Sequence, residues 1–152
     1  MSKEKGIEKI IEEIQSKIEY EEETVFSKKV IDEYRNPSNF GFIENPDAVG
    51  RIKGPCGDTM QIMLKIRNNR IVDVRFWTDG CGTSIACGSM LTKMIKGKTI
   101  EEIFTITSEM LNDSLDGLPE NHIHCTVLAV NTLRKTIEKL IEKKGRSENL
   151  ID

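Results

Sequence analysis

Gln61-Ile62-Met63-Leu64-Lys65-Ile66-Arg67-Asn68-Asn69-Arg70-Ile71-Val72-Asp73-Val74-Arg75-Phe76 decides the fold. Ile62, Leu64 and Ile66 alternate with Gln61, Met63 and Lys65, Asn68-Asn69 supplies turn residues, and Val72, Val74 and Phe76 alternate again. This pattern predicts a β-hairpin with one buried face. Working outward, Ser84 to Ile95 reads as a helix. Thr99-Ile100-Glu101-Glu102 reads as a capping box, in which the Thr99 hydroxyl and the Glu102 carboxylate satisfy orphan amides of a second helix. Ser108 to Leu115 is a short third helix. Val130, Leu133, Ile137, Leu140 and Ile141 mark one face of a last helix from about Thr126 to Lys144. The expected class is α+β, a small antiparallel sheet packed against several helices. In front of it, Ile7, Ile10, Ile11, Ile14 and Ile18 share one face of an extra N-terminal helix. That face is expected to pack on the domain or on a second copy in a homodimer, with Glu21-Glu22-Glu23 as a solvated hinge. The expected organisation is an extension over 1–24, a domain over 25–146 and a tail over 147–152.

Composition narrows the function classes. A chain of 152 residues with 38% apolar content supports one domain with its own core. A net charge of -3 with both signs interspersed leaves no basic stripe for nucleic acid. No apolar run is long enough to span a bilayer. Four cysteines without a secretory leader fit a reducing compartment. The first 24 residues hold eight Glu against four Lys, unlike an acid-poor mitochondrial presequence. The expected location is cytoplasmic.

Three short stretches carry the chemistry: Gly54-Pro55-Cys56-Gly57-Asp58, Gly80-Cys81-Gly82-Thr83-Ser84-Ile85-Ala86 and His122-Ile123-His124-Cys125. They hold three of the four cysteines, both histidines and a carboxylate. Thiolate and imidazole are the ligands of soft transition metals, and carboxylate is the harder companion, so Asp58 is the odd member. On an extended chain Asp58 leaves the same face as Cys56, and both can reach one centre. Adjacent His124 and Cys125 diverge in regular structure, so sharing a metal requires an irregular chain, which Gly117-Leu118-Pro119-Glu120-Asn121 allows. Compact C-x2-C or H-x3-H knuckles are absent, so a folded domain must assemble the site. Cys81 is expected at a helix N-terminus and Cys125 at the start of the last helix, where free amides lower thiol pKa values. Cys87, inside the predicted helix, reads as a small buried hydrophobe, and Met90 and Met94 as core.

The chain resembles the NifU/IscU-type iron-sulfur cluster assembly scaffolds from about Phe26 to Lys144. The matching stretches are Phe26-Ser27-Lys28-Lys29-Val30-Ile31-Asp32-Glu33-Tyr34 with Asn36-Pro37, Asn45-Pro46-Asp47-Ala48-Val49-Gly50 and Cys56-Gly57-Asp58. Then come Asp79-Gly80-Cys81-Gly82-Thr83-Ser84-Ile85-Ala86, Lys96-Gly97-Lys98, and Ile123-His124-Cys125 with Leu128-Ala129. The resemblance implies transient assembly of a [2Fe-2S] cluster from iron and persulfide sulfur delivered by a cysteine desulfurase, then transfer to acceptor apoproteins. It implies Cys56, Cys81 and Cys125 as cluster ligands, with Asp58 or His124 completing the set. Cys125 is the expected persulfide acceptor, on a mobile loop before the last helix. Such a protein is a scaffold and sulfur acceptor rather than an enzyme.

The chain departs from the family pattern in two places. Leu118-Pro119-Glu120-Asn121-His122 stands where many members carry Leu-Pro-Pro-Val-Lys, so recognition by a heat-shock-type chaperone is not carried over. His122, at a position commonly lysine, is expected to have a surface role, and Phe26 replaces a frequent tyrosine. Two rival readings stand beside the scaffold. One is a zinc-binding sulfur acceptor using the same Cys/Asp/His site. The other is a redox pair of Cys81 and Cys87, whose spacing lacks the C-x-x-C signature.

Overall fold

A computed structural model describes residues 2–151, with side chains described over 6–18 and 25–145. The chain is α+β. Helices α1 (Ser2–Val25) and α2 (Lys28–Arg35) precede strands β1 (Ala48–Lys53), β2 (Thr59–Arg67) and β3 (Arg70–Thr78). Helices α3 (Gly82–Ile95), α4 (Ile100–Phe104) and α5 (Ser108–Ser114) follow, then a 3-10 turn over Glu120–His122 and α6 (His124–Ile151).

The expected hairpin is present and belongs to an antiparallel sheet of order β1-β2-β3. Asn68 and Asn69 both take positive φ, 54° and 64°. That is the geometry of a two-residue turn whose twist matches the flanking strands. The inward set differs from the simple alternation. Lys65 pairs with Asp73 but Ile66 pairs with Ile71, a register shift that leaves Val72 as the extra residue. Val72 is therefore exposed, and Ile71, Val74 and Phe76 are buried. The irregularity lies where β3 is also bonded on its other side: Ile71 donates to the Lys98 carbonyl and accepts from the Gly97 amide.

One face of the sheet carries Met60, Ile62, Leu64, Val74 and Phe76 against α3 and α6. Contact is close enough that a Cβ on Gly88 of α3 would strike the Phe76 ring. Buried Glu33 of α2 accepts from Ser89 and pairs with Lys93, fastening α2 to α3. Cys87 is fully buried in this core, and Met90 and Met94 pack partly buried against it.

Four expectations need correction. Helix α6 begins at His124, two residues earlier than expected, and continues past Lys144. At α4, Thr99 accepts from the Glu102 amide as predicted, but the Glu102 carboxylate accepts from the Thr99 hydroxyl instead of reaching back to an amide. Glu21-Glu22-Glu23 continues α1 rather than forming a hinge, and its side chains lie outside those described. The isoleucine face of α1 does not pack on the domain: Ile7, Ile10, Ile11, Ile14 and Ile18 are 49–58% exposed.

Candidate metal centre

The three chemistry-bearing stretches meet at one end of the sheet. Cys56 lies in the turn joining β1 to β2, closed by the Gly54 amide on the Asp58 carbonyl (2.6 Å) and the Gly57 amide on the Gly54 carbonyl (3.0 Å). Gly57 takes a φ of +89°, which a residue with a Cβ rarely adopts. The segment is thus a turn, not the extended chain expected. Asp58 turns toward α3, with Oδ2 3.4 Å from Ser84 Oγ.

The end of β3 is locked to the start of β2. Thr78 donates to the Thr59 carbonyl (2.7 Å), the Thr59 amide donates to Asp79 Oδ1 (2.7 Å), and the Gly80 amide donates to Thr78 Oγ1 (3.1 Å). A Cβ on Gly80 would come within 2.6 Å of Ser84 Oγ and 2.9 Å of Asp58 Oδ2, so this position admits only the bare backbone. The chain then delivers Cys81 to the N-terminus of α3 as its cap residue.

The third stretch enters through the 3-10 turn, where the His122 amide donates to the Pro119 carbonyl (2.8 Å). Cys125 falls in the first turn of α6 and is 1% exposed, which corrects the expectation that it lies on a mobile loop. His124 and Cys125, though adjacent, converge: His124 Nε2 is 3.7 Å from Cys125 Sγ and 3.5 Å from Cys56 Sγ. His122 is also drawn in. Its ring nitrogen and the sulfurs of Cys81 and Cys125 all lie within 4.8 Å of one another. The surface role expected for His122 is therefore corrected to a half-buried place in the site. His122 and Cys125 are three residues apart, a spacing that shares a face only where the chain is helical, and the irregular stretch expected here hid it.

Thr83 joins the group. Its buried hydroxyl is 2.9 Å from Cys81 Sγ, 3.3 Å from His122 Nδ1 and 3.4 Å from Cys125 Sγ. Ser84 Oγ lies 3.7 Å from Cys125 Sγ.

These surroundings split the thiols. Burial pushes the Cys81 thiol up, but the hydroxyls and amides of Thr83 and Ser84 outweigh it and leave the pKa below the ordinary value. The cap makes no hydrogen bond of regular capping geometry, yet those amides face the sulfur closely enough to favour thiolate. Cys125, also at a helix start, shows the opposite result. Its burial dominates, the charges of Cys81 and Asp58 add to it, and its pKa is raised despite Thr83 and Ser84. Cys87 is raised well above the ordinary value by burial, reinforced by the charges of Cys125 and Cys81, in keeping with an inert core thiol.

The family described as NifU-like N terminal domain matches residues 25–147. The chain belongs to this family. It is 44% identical over 127 residues to iron-sulfur cluster assembly scaffold protein IscU 1 of Archaeoglobus fulgidus, covering 83% of each chain. The corresponding scaffold protein of Aquifex aeolicus is 43% identical over 126 residues, covering 81% of this chain and 80% of the relative. Among solved structures, the N-terminal NifU-like protein of Brucella abortus superposes with a TM-score of 0.62 at 20% identity, covering 77% of this chain and 94% of that one. It shares the fold.

Proposed function

We propose that this chain is a scaffold on which a [2Fe-2S] cluster is assembled from iron and from sulfur delivered as persulfide by a cytoplasmic cysteine desulfurase, and from which acceptor apoproteins receive it. The observation that carries this reading is the convergence of three thiols and two imidazoles on one rim built from the β1–β2 turn, the N-terminus of α3 and the start of α6. A [2Fe-2S] cargo needs four protein ligands, for which thiolate and imidazole are the favoured types, and these donors with the Asp58 carboxylate beside them can supply four. Cys56, Cys81 and Cys125 are the proposed thiolate ligands, and Asp58 or His124 completes the set. The relatives from Archaeoglobus fulgidus and Aquifex aeolicus are named as iron-sulfur cluster assembly scaffold proteins, which supports the assembly part of this reading.

Sulfur enters by thiolate attack on the outer sulfur of the desulfurase persulfide. A new S–S bond forms on the scaffold, the old one breaks, and the desulfurase leaves as thiolate. Reduction of each sulfane sulfur to sulfide takes two electrons from a reductant outside this chain. Cys81 is exposed and its pKa is lowered, whereas Cys125, the acceptor expected from resemblance, is buried. We therefore assign first acceptance to Cys81, with Cys125 as a ligand once cargo is present.

Anaerobic reconstitution with ferrous iron, sulfide and reductant tests the reading. Visible charge-transfer bands with two iron and two sulfide per chain are expected. They should be lost on Cys56→Ala, Cys81→Ala or Cys125→Ala and kept on Cys87→Ala. A colourless protein that holds only zinc under the same conditions would favour the zinc-binding sulfur acceptor.

A further inference from the structure

We propose that His122 is a metal ligand, and that Cys81, His122 and Cys125 form a mononuclear site for a divalent first-row transition ion of the zinc or ferrous class, independent of Cys56 and His124. The inference rests on reading the rim as metal-handling, but not on cluster assembly.

The donor geometry supports the trio. In a tetrahedral site with metal–sulfur bonds near 2.3 Å and metal–nitrogen bonds near 2.0 Å, donor atoms lie about 3.5–3.8 Å apart. The three donors here, all within 4.8 Å of one another, need contract by about 1.3 Å at most. Cys56 is outside this compact group. Its sulfur is instead paired with His124 Nε2 at 3.5 Å, so the rim has two thiol–imidazole lobes with Cys125 between them.

A second observation marks the centre of the trio. The single hydroxyl of Thr83, itself 2% exposed, lies within hydrogen-bond reach of all three donors. One hydroxyl has one proton to donate, so it cannot satisfy three soft donors as fully as a cation would. Thr83 thus holds the three donors of this lobe together, and a turn of its side chain vacates the space between them.

His122 is oriented for the task. Its Nδ1 faces the trio, and its ring is held edge-on to Phe26, with centroids 5.3 Å apart and an interplanar angle of 65°. Two thiolates, one imidazole and an open fourth position describe a site that binds a single ion and leaves one coordination position free. An ion bound there is already beside Cys125, the residue both lobes share.

Cobalt(II) titration of the reduced, metal-free full chain under anaerobic conditions is the test. Wild type and a Cys56→Ser/His124→Ala variant are both expected to bind one cobalt with thiolate-to-cobalt charge transfer and tetrahedral d–d bands. Adding His122→Ala, or the milder His122→Gln, should weaken binding at least tenfold and shift the d–d bands as water replaces nitrogen, with circular dichroism unchanged. Loss of binding in Cys56→Ser/His124→Ala, or unchanged affinity and bands on both His122 substitutions, would overturn the proposal. The two readings separate cleanly. A His122-dependent cobalt site in a protein that never forms a cluster defeats the scaffold reading alone, and normal cluster assembly with a cobalt spectrum indifferent to His122 defeats this inference alone.

Discussion

Cys81 and Cys125 share the Thr83 hydroxyl, yet their pKa values move in opposite directions, because one sulfur is at the surface facing amides and the other is under the first turn of α6. A lowered pKa populates thiolate at lower pH, so alkylation of reduced metal-free protein should label Cys81 before Cys125 as pH rises. Cys87 should react only on unfolding. Mass mapping of iodoacetamide adducts against pH checks the order, and early labelling of Cys125 would restore it as the first sulfur acceptor. Asp58 offers a different test. As the proposed fourth ligand, its oxygen would be matched poorly to a soft iron–sulfide core and would make one weak corner through which acceptor thiols could enter. Asp58→Ala is therefore expected to keep its cluster longer in air and to donate it more slowly to an apo-ferredoxin, read by decay of visible absorbance. Faster loss would make Asp58 a structural ligand. Most of this constellation was legible in the sequence, since a thiol beside glycine, carboxylate or histidine does not resemble core. His122 was not legible as a donor. Its neighbours Glu120 and Asn121 look like surface, and only the chain path through the 3-10 turn shows that Nδ1 turns inward.

At the scale of elements, alternation located β2 and β3 but misassigned one face near the turn. A strand has period two only while the register holds, and the shift between Lys65 and Ile66 exchanges the expected roles of Ile71 and Val72. Ile71→Ala is therefore expected to cost about 2–5 kcal/mol in denaturant unfolding, as for other fully buried large-to-small changes. Val72→Thr, at an exposed position of unchanged shape, should stay within about 0.5 kcal/mol. A larger cost at Val72 than at Ile71 would mean that the simple alternation is correct. Strand β1 had no comparable signature: Ala48-Val49-Gly50-Arg51-Ile52-Lys53 has few large apolar residues because α6 packs directly on its backbone. A Cβ at Gly50 would run into Thr136. The helix starts at Thr99 and Thr107 follow from their side chains accepting from Glu102 and Met110 amides, a local chemistry that sequence displays openly.

For the molecule as a whole, the division of labour lies between the domain that builds the rim and the helix in front of it. Core, sheet and all three thiol-bearing stretches belong to the segment from α2 onward, and the family match begins at residue 25. Helix α1 has α2 as its principal neighbour, and its five described isoleucines contribute nothing to the buried core. The periodicity showed that this helix exists and which face is apolar. It could not show where the face goes, because an amphipathic stripe records that apolar surface is gathered, not what covers it. Removing residues 1–24 should therefore lose little folding free energy, since apolar area contributes only where folding takes it out of water. Because α1 is entirely helical, the truncated chain should lose helical ellipticity in proportion to the residues removed. Its cooperative thermal unfolding should keep the same midpoint to within about 4 °C, the shift that roughly 1 kcal/mol makes in a domain of this size. Anaerobic reconstitution should still yield two iron and two sulfide per chain, because no rim donor lies before Cys56. A non-cooperative melt would show that the isoleucine face completes the core. An intact melt with failed reconstitution would place the helix in the assembly reaction itself.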